Sequence, residues 1–145
     1  MTQRFPEATV GALVVRSNGD VLIVRSNKWN NKYTVPGGHI EIGERAEDAI
    51  KREVKEETGL DVEVEKLLVV QQAIYPRFYH KHEHFLFMDY VCRSQNSDVN
   101  LDGRELQSYT WISPKEALKL DIEEYTRNFV LAYILYQETG ISQPF

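Results

Sequence analysis

Three glutamates, Glu53, Glu56 and Glu57, lie in one predicted helix at the spacing i, i+3 and i+4. Residues 47–58 are mostly good helix formers, and Gly59 follows where a left-handed residue commonly ends a helix. On a helical wheel these glutamates fall beside the apolar stripe rather than opposite it. Carboxylates that converge next to apolar side chains repel one another, which raises their pKa values. A divalent cation that prefers oxygen ligands, Mg²⁺ or Mn²⁺, would remove that conflict.

A glutamate-rich helix face is also a common form of solvated surface. That interpretation accounts for the outward positions of Asp48, Lys51 and Lys55. It gives no reason for three carboxylates to lie against the apolar side. From the residues alone, a solvated face and a metal site therefore both remain open.

The wider spacing around these glutamates is more specific. The pattern is Gly38-x5-Glu44-x7-Arg52-Glu53-Val54-x-Glu56-Glu57-x-Gly59-Leu60, and it resembles the Nudix box, here residues 38–60. The resemblance implies an α/β fold, the Nudix α/β/α sandwich. In that fold a mixed β-sheet lies between the Nudix-box helix and a C-terminal helix.

The same resemblance implies a reaction. It is the Mg²⁺-dependent hydrolysis of a phosphoanhydride bond in a nucleoside diphosphate linked to another group, with Mn²⁺ able to substitute. That class includes nucleoside triphosphates, nucleotide sugars and dinucleoside polyphosphates, and the sequence does not choose among them. Two alternatives stay open: a non-catalytic Nudix domain that binds a nucleotide as a sensor, and an isomerase of the same superfamily.

The resemblance also assigns roles to residues. It implies metal ligation by Glu53, Glu56, Glu57 and a backbone carbonyl of Gly37 or Gly38. The proton acceptor is Glu53 or Glu105, which precedes a predicted strand containing Trp111. Arg52 and Glu44 are expected to support the metal-binding loop, and Gly59 to end the helix.

Length and charge limit the function further. We expect one domain over residues 1–145, in the cytoplasm, because no signal peptide or long apolar run is present. A net charge of −5 argues against a nucleic acid polymer as partner and leaves a small nucleotide diphosphate derivative. Cys92, the single cysteine, excludes an internal disulfide. A homodimer is compatible with the sequence.

Hydrophobic periodicity and turn residues place the remaining elements. Asn18-Gly19-Asp20 predicts a hairpin between the first two strands, and Pro36-Gly37-Gly38 is expected to break a short strand. Ser113 followed by Pro114 predicts the start of a helix. Strands are expected at 9–16, 21–25, 33–35, 61–72, 85–93 and 109–112, and a closing helix at 123–138.

Candidate substrate contacts lie mostly between residues 71 and 84. Aromatic rings crowded around a cation could stack a base and hold a phosphate, or they could form a hairpin rim. Their positions, with one arginine from an earlier strand, are Arg25, Tyr75, Arg77, Phe78, Tyr79 and His82. If His80, His82 and His84 lay on one strand they would share a face, and we expect them to line the pocket rather than bind zinc.

Overall fold

A computed structural model describes residues 4–142. Within them, seven strands form one sheet with helices on both faces. The strands are β1 (Glu7–Val15), β2 (Val21–Ser26), β3 (Lys32–Thr34), β4 (Gly37–His39), β5 (Val62–Ile74), β6 (His84–Ser94) and β7 (Leu106–Ile112). The helices are α1 (Ala46–Thr58), α2 (Pro114–Ala117) and α3 (Glu124–Thr139), and residues 27–29 form one 3₁₀ turn.

The sheet is mixed, with the order β3-β2-β1-β6-β5, while β4 pairs with β1 and β7 with β2. β1 and β6 run parallel, and the other pairs are antiparallel. In the parallel pair Gly11 lies opposite Asp89, and in the antiparallel pair with β4 it lies opposite Gly37. This register brings the glycine loop and the middle of β6 to the same part of β1.

The core has two layers because β1 is buried on both faces. Val10, Ala12 and Val14 pack in the cluster that contains α1, whereas Leu13 and Val15 pack in the cluster that contains α3. A strand that is covered on both faces has an almost continuous apolar sequence, and β1 has such a sequence. The predicted sandwich, with the sheet between the Nudix-box helix and the C-terminal helix, is confirmed.

Both ends of α1 follow from its sequence. Arg45 precedes the helix and makes no side-chain capping bond, as expected from a poor capping residue. Gly59 ends it with φ 75°, and its N–H donates to the Lys55 carbonyl at 3.0 Å. Only a residue without a Cβ adopts this left-handed conformation at little cost, so the predicted role of Gly59 is confirmed.

Two sequence interpretations are corrected by the fold. β3 does end before Pro36, as predicted, but Gly37 and Gly38 then form a new strand, β4, whose residues 37–39 pair with residues 9–11 of β1. The three alternating histidines do not share one strand face, because β5 runs to Ile74 and the chain then turns over residues 75–83. His80 and His82 lie in this turn, and only His84 of the three belongs to β6. Within residues 4–142, no helix has both the length and the apolar character needed to cross a membrane.

Substitutions in α3 test this layered core. Phe129 is 1% exposed in the α3 cluster, whereas Leu131 of the same helix is 48% exposed. Phe129→Ala should therefore lower the free energy of unfolding by about 3–5 kcal/mol, because it leaves a cavity. Leu131→Ala should change it by less than about 0.5 kcal/mol. Urea denaturation measures both values, and equal losses would contradict the packing described.

Candidate active site

The three glutamates of α1 differ in burial although they share one side of the helix. Glu57 is 5% exposed, the Glu53 side chain is 16% exposed and that of Glu56 is 59% exposed. Glu57 lies nearest the sheet, where its carboxylate accepts a hydrogen bond from the Gly37 N–H at 3.2 Å. The predicted convergence beside the apolar stripe thus holds fully for Glu57, partly for Glu53 and least for Glu56.

Burial and mutual repulsion disfavour the negative charge of this cluster. Burial raises the pKa of Glu57 to about 9; the charges of Glu53, Glu105 and Asp102 add to the shift, and the Gly37 N–H opposes it. The pKa of Glu53 is also raised, chiefly by burial and against the effect of Arg52. Buried carboxylates that cluster in this way keep their charge only when a cation accompanies them.

Arg52 holds the loop before α1 against the helix. Its guanidinium donates two hydrogen bonds to Glu44, at 2.8 and 2.9 Å, one to Glu53 at 2.8 Å and one to the His39 carbonyl at 3.0 Å. Hydrogen bonds from Arg52, together with one from the Glu41 backbone, lower the pKa of Glu44 to about 2. These contacts join Glu44, the His39 carbonyl and Glu53 through one guanidinium, and the supporting role of Arg52 and Glu44 stays a prediction.

Close packing explains why β4 contains two glycines. A Cβ on Gly37 would lie 2.1 Å from the Val10 carbonyl oxygen, and one on Gly38 would lie 2.4 Å from the Glu53 carboxyl carbon. Either side chain would displace β1 or a glutamate of the cluster. The backbone of β4 therefore lies directly against the carboxylates, and any side chain at Gly38 would displace Glu53.

The donors of this site fit a divalent cation that prefers oxygen ligands. Carboxylates and a backbone carbonyl are the groups that Mg²⁺ and Mn²⁺ bind, and a bound cation would oppose the burial and mutual repulsion that raise the pKa values of Glu53 and Glu57. As the side chains stand, residues 4–142 contain no ready-made group of three His, Cys, Asp or Glu around one point. Glu56 instead lies 3.5 Å from Arg52.

Glu105 faces the same cavity from the loop before β7. Its carboxylate forms an ion pair with Lys28 at 2.6 Å, and both residues line the cavity together with Glu53, Glu56 and Glu57. The structure thus brings the two candidate proton acceptors, Glu53 and Glu105, into one site.

The cavity continues from the carboxylates into an aromatic pocket. Its volume is about 460 Å³, which lies within the range of small-molecule sites. The ring centroids of Trp29 lie 4.8 Å from Tyr79 and 6.3 Å from both Phe87 and Tyr125. Phe85 stacks on Phe87 at 5.3 Å. This arrangement of rings, called here the aromatic pocket, consists of Trp29, Tyr79, Phe85, Phe87 and Tyr125.

Buried polar groups lie beneath the aromatic pocket, where α3 begins. Glu123 caps α3 by accepting hydrogen bonds from the Tyr125 and Thr126 N–H groups, and the hydroxyl of Thr126 also lies against its carboxylate. Thr34 lies 3.0 Å from the Thr126 hydroxyl. Asp89, which is 5% exposed, completes this polar floor from β6.

The predicted substrate contacts are divided between two places. Tyr79 lies in the aromatic pocket and also borders a second depression in the turn, and Tyr75, Arg77 and His82 line only that second depression. The ring of Phe78 lies under Lys32, 4.5 Å from its ammonium, and is 40% exposed. Arg25 points outward, where it donates to the Asn31 carbonyl at 3.0 Å. The five residues other than Tyr79 therefore do not line the cavity that contains the carboxylate cluster.

Several pocket residues were not predicted. Phe85, Phe87 and Asp89 occupy every second position of β6. Because side chains of a strand point alternately to its two faces, this spacing could have placed all three on one face. An aspartate inside an otherwise apolar strand was the visible signal. Trp29 and Tyr125 come from separate parts of the chain, and only the folded sheet brings them together.

Comparison with known proteins gives the family. Residues 6–133 match the model described as NUDIX domain. The nucleoside triphosphatase NudI of Escherichia fergusonii is 23% identical over 131 residues, covering 83% of this chain and 92% of that protein. The ADP-ribose pyrophosphatase of Methanocaldococcus jannaschii is 41% identical over 69 residues, covering 47% of this chain and 41% of that protein.

Solved structures agree on the fold. The MutT NUDIX hydrolase from Burkholderia pseudomallei superposes with a TM-score of 0.76 at 23% identity, covering 89% of this chain and 98% of that one. A Caenorhabditis elegans Ap4A hydrolase gives 0.76 at 19% identity, covering 93% and 99%. The chain therefore belongs to the NUDIX domain family, and the prediction that it hydrolyses a nucleoside diphosphate derivative is confirmed.

Proposed function

We propose that this protein hydrolyses a nucleoside triphosphate to a nucleoside monophosphate and pyrophosphate, with Mg²⁺ at the glutamate cluster. One observation carries the proposal: the carboxylates and the aromatic pocket are two ends of a single cavity. A flat ring stacked in the pocket would then place its phosphate chain towards Glu53 and Glu57. The resemblance to a nucleoside triphosphatase over most of both chains supports this choice of substrate.

The metal would be held by Glu53, Glu56, Glu57 and a carbonyl of Gly37 or Gly38. When bound, it supplies charge neutralisation on the phosphate oxygens and lowers the pKa of the attacking water. Arg52 contributes by fixing Glu53 through a 2.8 Å hydrogen bond. The glycines contribute by leaving room for the carboxylates beside the backbone.

Glu105 is the proposed proton acceptor. Glu53 already accepts from Arg52 and is assigned to the metal, whereas Glu105 has only Lys28 as an ion-pair partner among the described residues. The 2.6 Å ion pair with Lys28 holds the Glu105 carboxylate at the wall of the cavity. During hydrolysis the water oxygen bonds to phosphorus, the phosphoanhydride P–O bond breaks, and Glu105 takes the proton released by the water.

We also propose that the protein is cytoplasmic and that it forms a homodimer. The substrate is the part that experiment can settle first. Purified protein is incubated with Mg²⁺ and a panel of nucleoside triphosphates, ADP-ribose and dinucleoside polyphosphates, and products are separated by ion-exchange chromatography. Monophosphate and pyrophosphate release from a triphosphate supports the proposal. Tight nucleotide binding with no product would instead favour a sensor domain.

Glu57→Gln tests the metal site. The substitution keeps the shape of the side chain but removes the charge that the cation needs, so kcat should fall by about 10²- to 10³-fold. The metal-free fold should survive, because an amide is easier to bury here than a carboxylate with a raised pKa. The control is Asp48→Asn, which removes an exposed carboxylate of α1 and should leave kcat unchanged. Full Mg²⁺-dependent turnover by Glu57→Gln would contradict the assignment.

Arg52→Lys tests the supporting role of Arg52. Lysine keeps the charge but cannot make the paired hydrogen bonds to Glu44 together with those to Glu53 and the His39 carbonyl. Activity should fall by about 10- to 100-fold, with a matching loss of metal affinity. Steady-state kinetics across a Mg²⁺ titration measures both, and the exposed Arg45→Lys serves as control. An unaltered Mg²⁺ dependence would show that charge alone suffices.

A further inference from the structure

Asp89 is a buried carboxyl group that the proposed hydrolysis does not use. It lies on β6 two residues after Phe87, on the wall of the cavity that contains the aromatic pocket. Its neighbour across the parallel pair is Gly11, and a Cβ there would lie 2.7 Å from Asp89 Oδ1. A glycine at that position therefore leaves space for this carboxyl.

A chain of hydrogen bonds fixes which oxygen of Asp89 can act on a ligand. The Tyr125 carbonyl can only accept, so the Gln71 amide must turn its nitrogen towards it, at 2.8 Å. The same Nε2 donates to Asp89 Oδ2 at 2.9 Å, and Gln71 Oε1 accepts from Asn128 Nδ2 at 3.1 Å. Both N–H groups of Gln71 are thus used. Oδ2 must act as an acceptor, so a proton on this carboxyl has to sit on Oδ1.

The surroundings favour the protonated form. No cationic side chain within residues 4–142 forms an ion pair with Asp89. Burial raises the pKa of Asp89 to about 8; the Gln71 hydrogen bond opposes the shift, and the nearby charge of Glu123 adds to it. Burial therefore favours the carboxylic acid form, whose O–H lies on Oδ1 because Oδ2 accepts from Gln71. Within the described part of the chain, Oδ1 has no protein hydrogen-bond partner.

We propose that Asp89 Oδ1–H donates a hydrogen bond to an acceptor atom of the nucleobase in the aromatic pocket, which makes Asp89 a specificity-determining residue. The proposal rests on the proposed function, since it takes the ligand to be a nucleotide. The aromatic rings stack any base, because every base has a π-face. A single buried donor beside them distinguishes ring atoms that accept a hydrogen bond from amino groups that cannot. The Gln71 network holds that donor in place without contacting the ligand.

Binding of nucleoside monophosphates, measured without metal by isothermal titration calorimetry, tests Asp89 independently of catalysis. The probes are AMP, GMP, CMP and UMP. In Asp89→Asn the amide oxygen accepts from Gln71 and the amide nitrogen donates into the pocket, so Kd for the tightest probe should stay within about threefold. Asp89→Leu has a similar volume and no donor, so the same Kd should rise about tenfold or more.

A pH series separates this role from a structural one. Wild-type affinity should fall as pH rises through about 8, because the ionised carboxylate cannot donate, whereas Asp89→Asn should not show that fall. Both proteins share the other ionisable groups around the cavity, so their difference isolates Asp89. Those groups are Tyr79 in the aromatic pocket, Glu123 and Tyr125 on the α3 side and, nearer the carboxylate cluster, Lys28, His39, Glu41, Arg52, Glu53, Glu56, Glu57 and Glu105.

Several results would overturn the proposal. Unchanged affinity in Asp89→Leu, with circular dichroism confirming its fold, would show that Asp89 does not contact the base. Equal weakening in the Asn and Leu variants would show that the carboxyl acts as an acceptor. If the wild-type protein bound none of the four monophosphates, the aromatic pocket would not be a binding site for the base. By contrast, normal binding without triphosphate hydrolysis would count only against the proposed function.

Discussion

Burial of the Glu57 carboxylate is the constraint on which this site depends. A carboxyl group that is 5% exposed, close to Glu53 and Glu105, can carry its charge only beside a cation. Among residues 4–142, the Gly37 N–H donates to this carboxylate, whereas Arg52 donates to Glu44 and Glu53 instead. The local structure is thus built for a partner that is not part of the chain.

The sheet joins this charged end to the aromatic end. Parallel pairing of β1 with β6 sets Thr9 opposite Phe87 and Gly11 opposite Asp89, while β4 lies on the other side of the same residues of β1. Three residues of one strand therefore connect the glycine loop, the aromatic pocket and the buried aspartate. A shift of one residue in this register would turn Phe87 and Asp89 to the opposite face and separate the two ends.

The sequence predicted the parts of the site that are local in the chain. Glu53, Glu57, Arg52 and Glu44 lie within one loop and helix, so their spacing could carry the resemblance to the Nudix box from which their roles were predicted. The aromatic pocket was not predictable in this way, because it depends on strand register and on α3 reaching β6. Tyr79 was identified because it lies in an aromatic segment, but its neighbours in sequence point to the turn surface instead. Glu56 shows a further limit: helix periodicity placed it correctly on the wheel, yet the competing contact with Arg52 leaves it exposed.

Binding of a divalent cation by the Glu57 cluster is measured most directly as the thermal midpoint with and without Mg²⁺. A ligand that binds the native state stabilises it by about 2.7 kcal/mol at a hundredfold excess over Kd. The wild-type Tm should therefore rise with added Mg²⁺, at ionic strength matched with KCl, and Glu57→Gln should lose that rise. An equal shift in both proteins, or none in wild type, would contradict binding of the cation by this cluster.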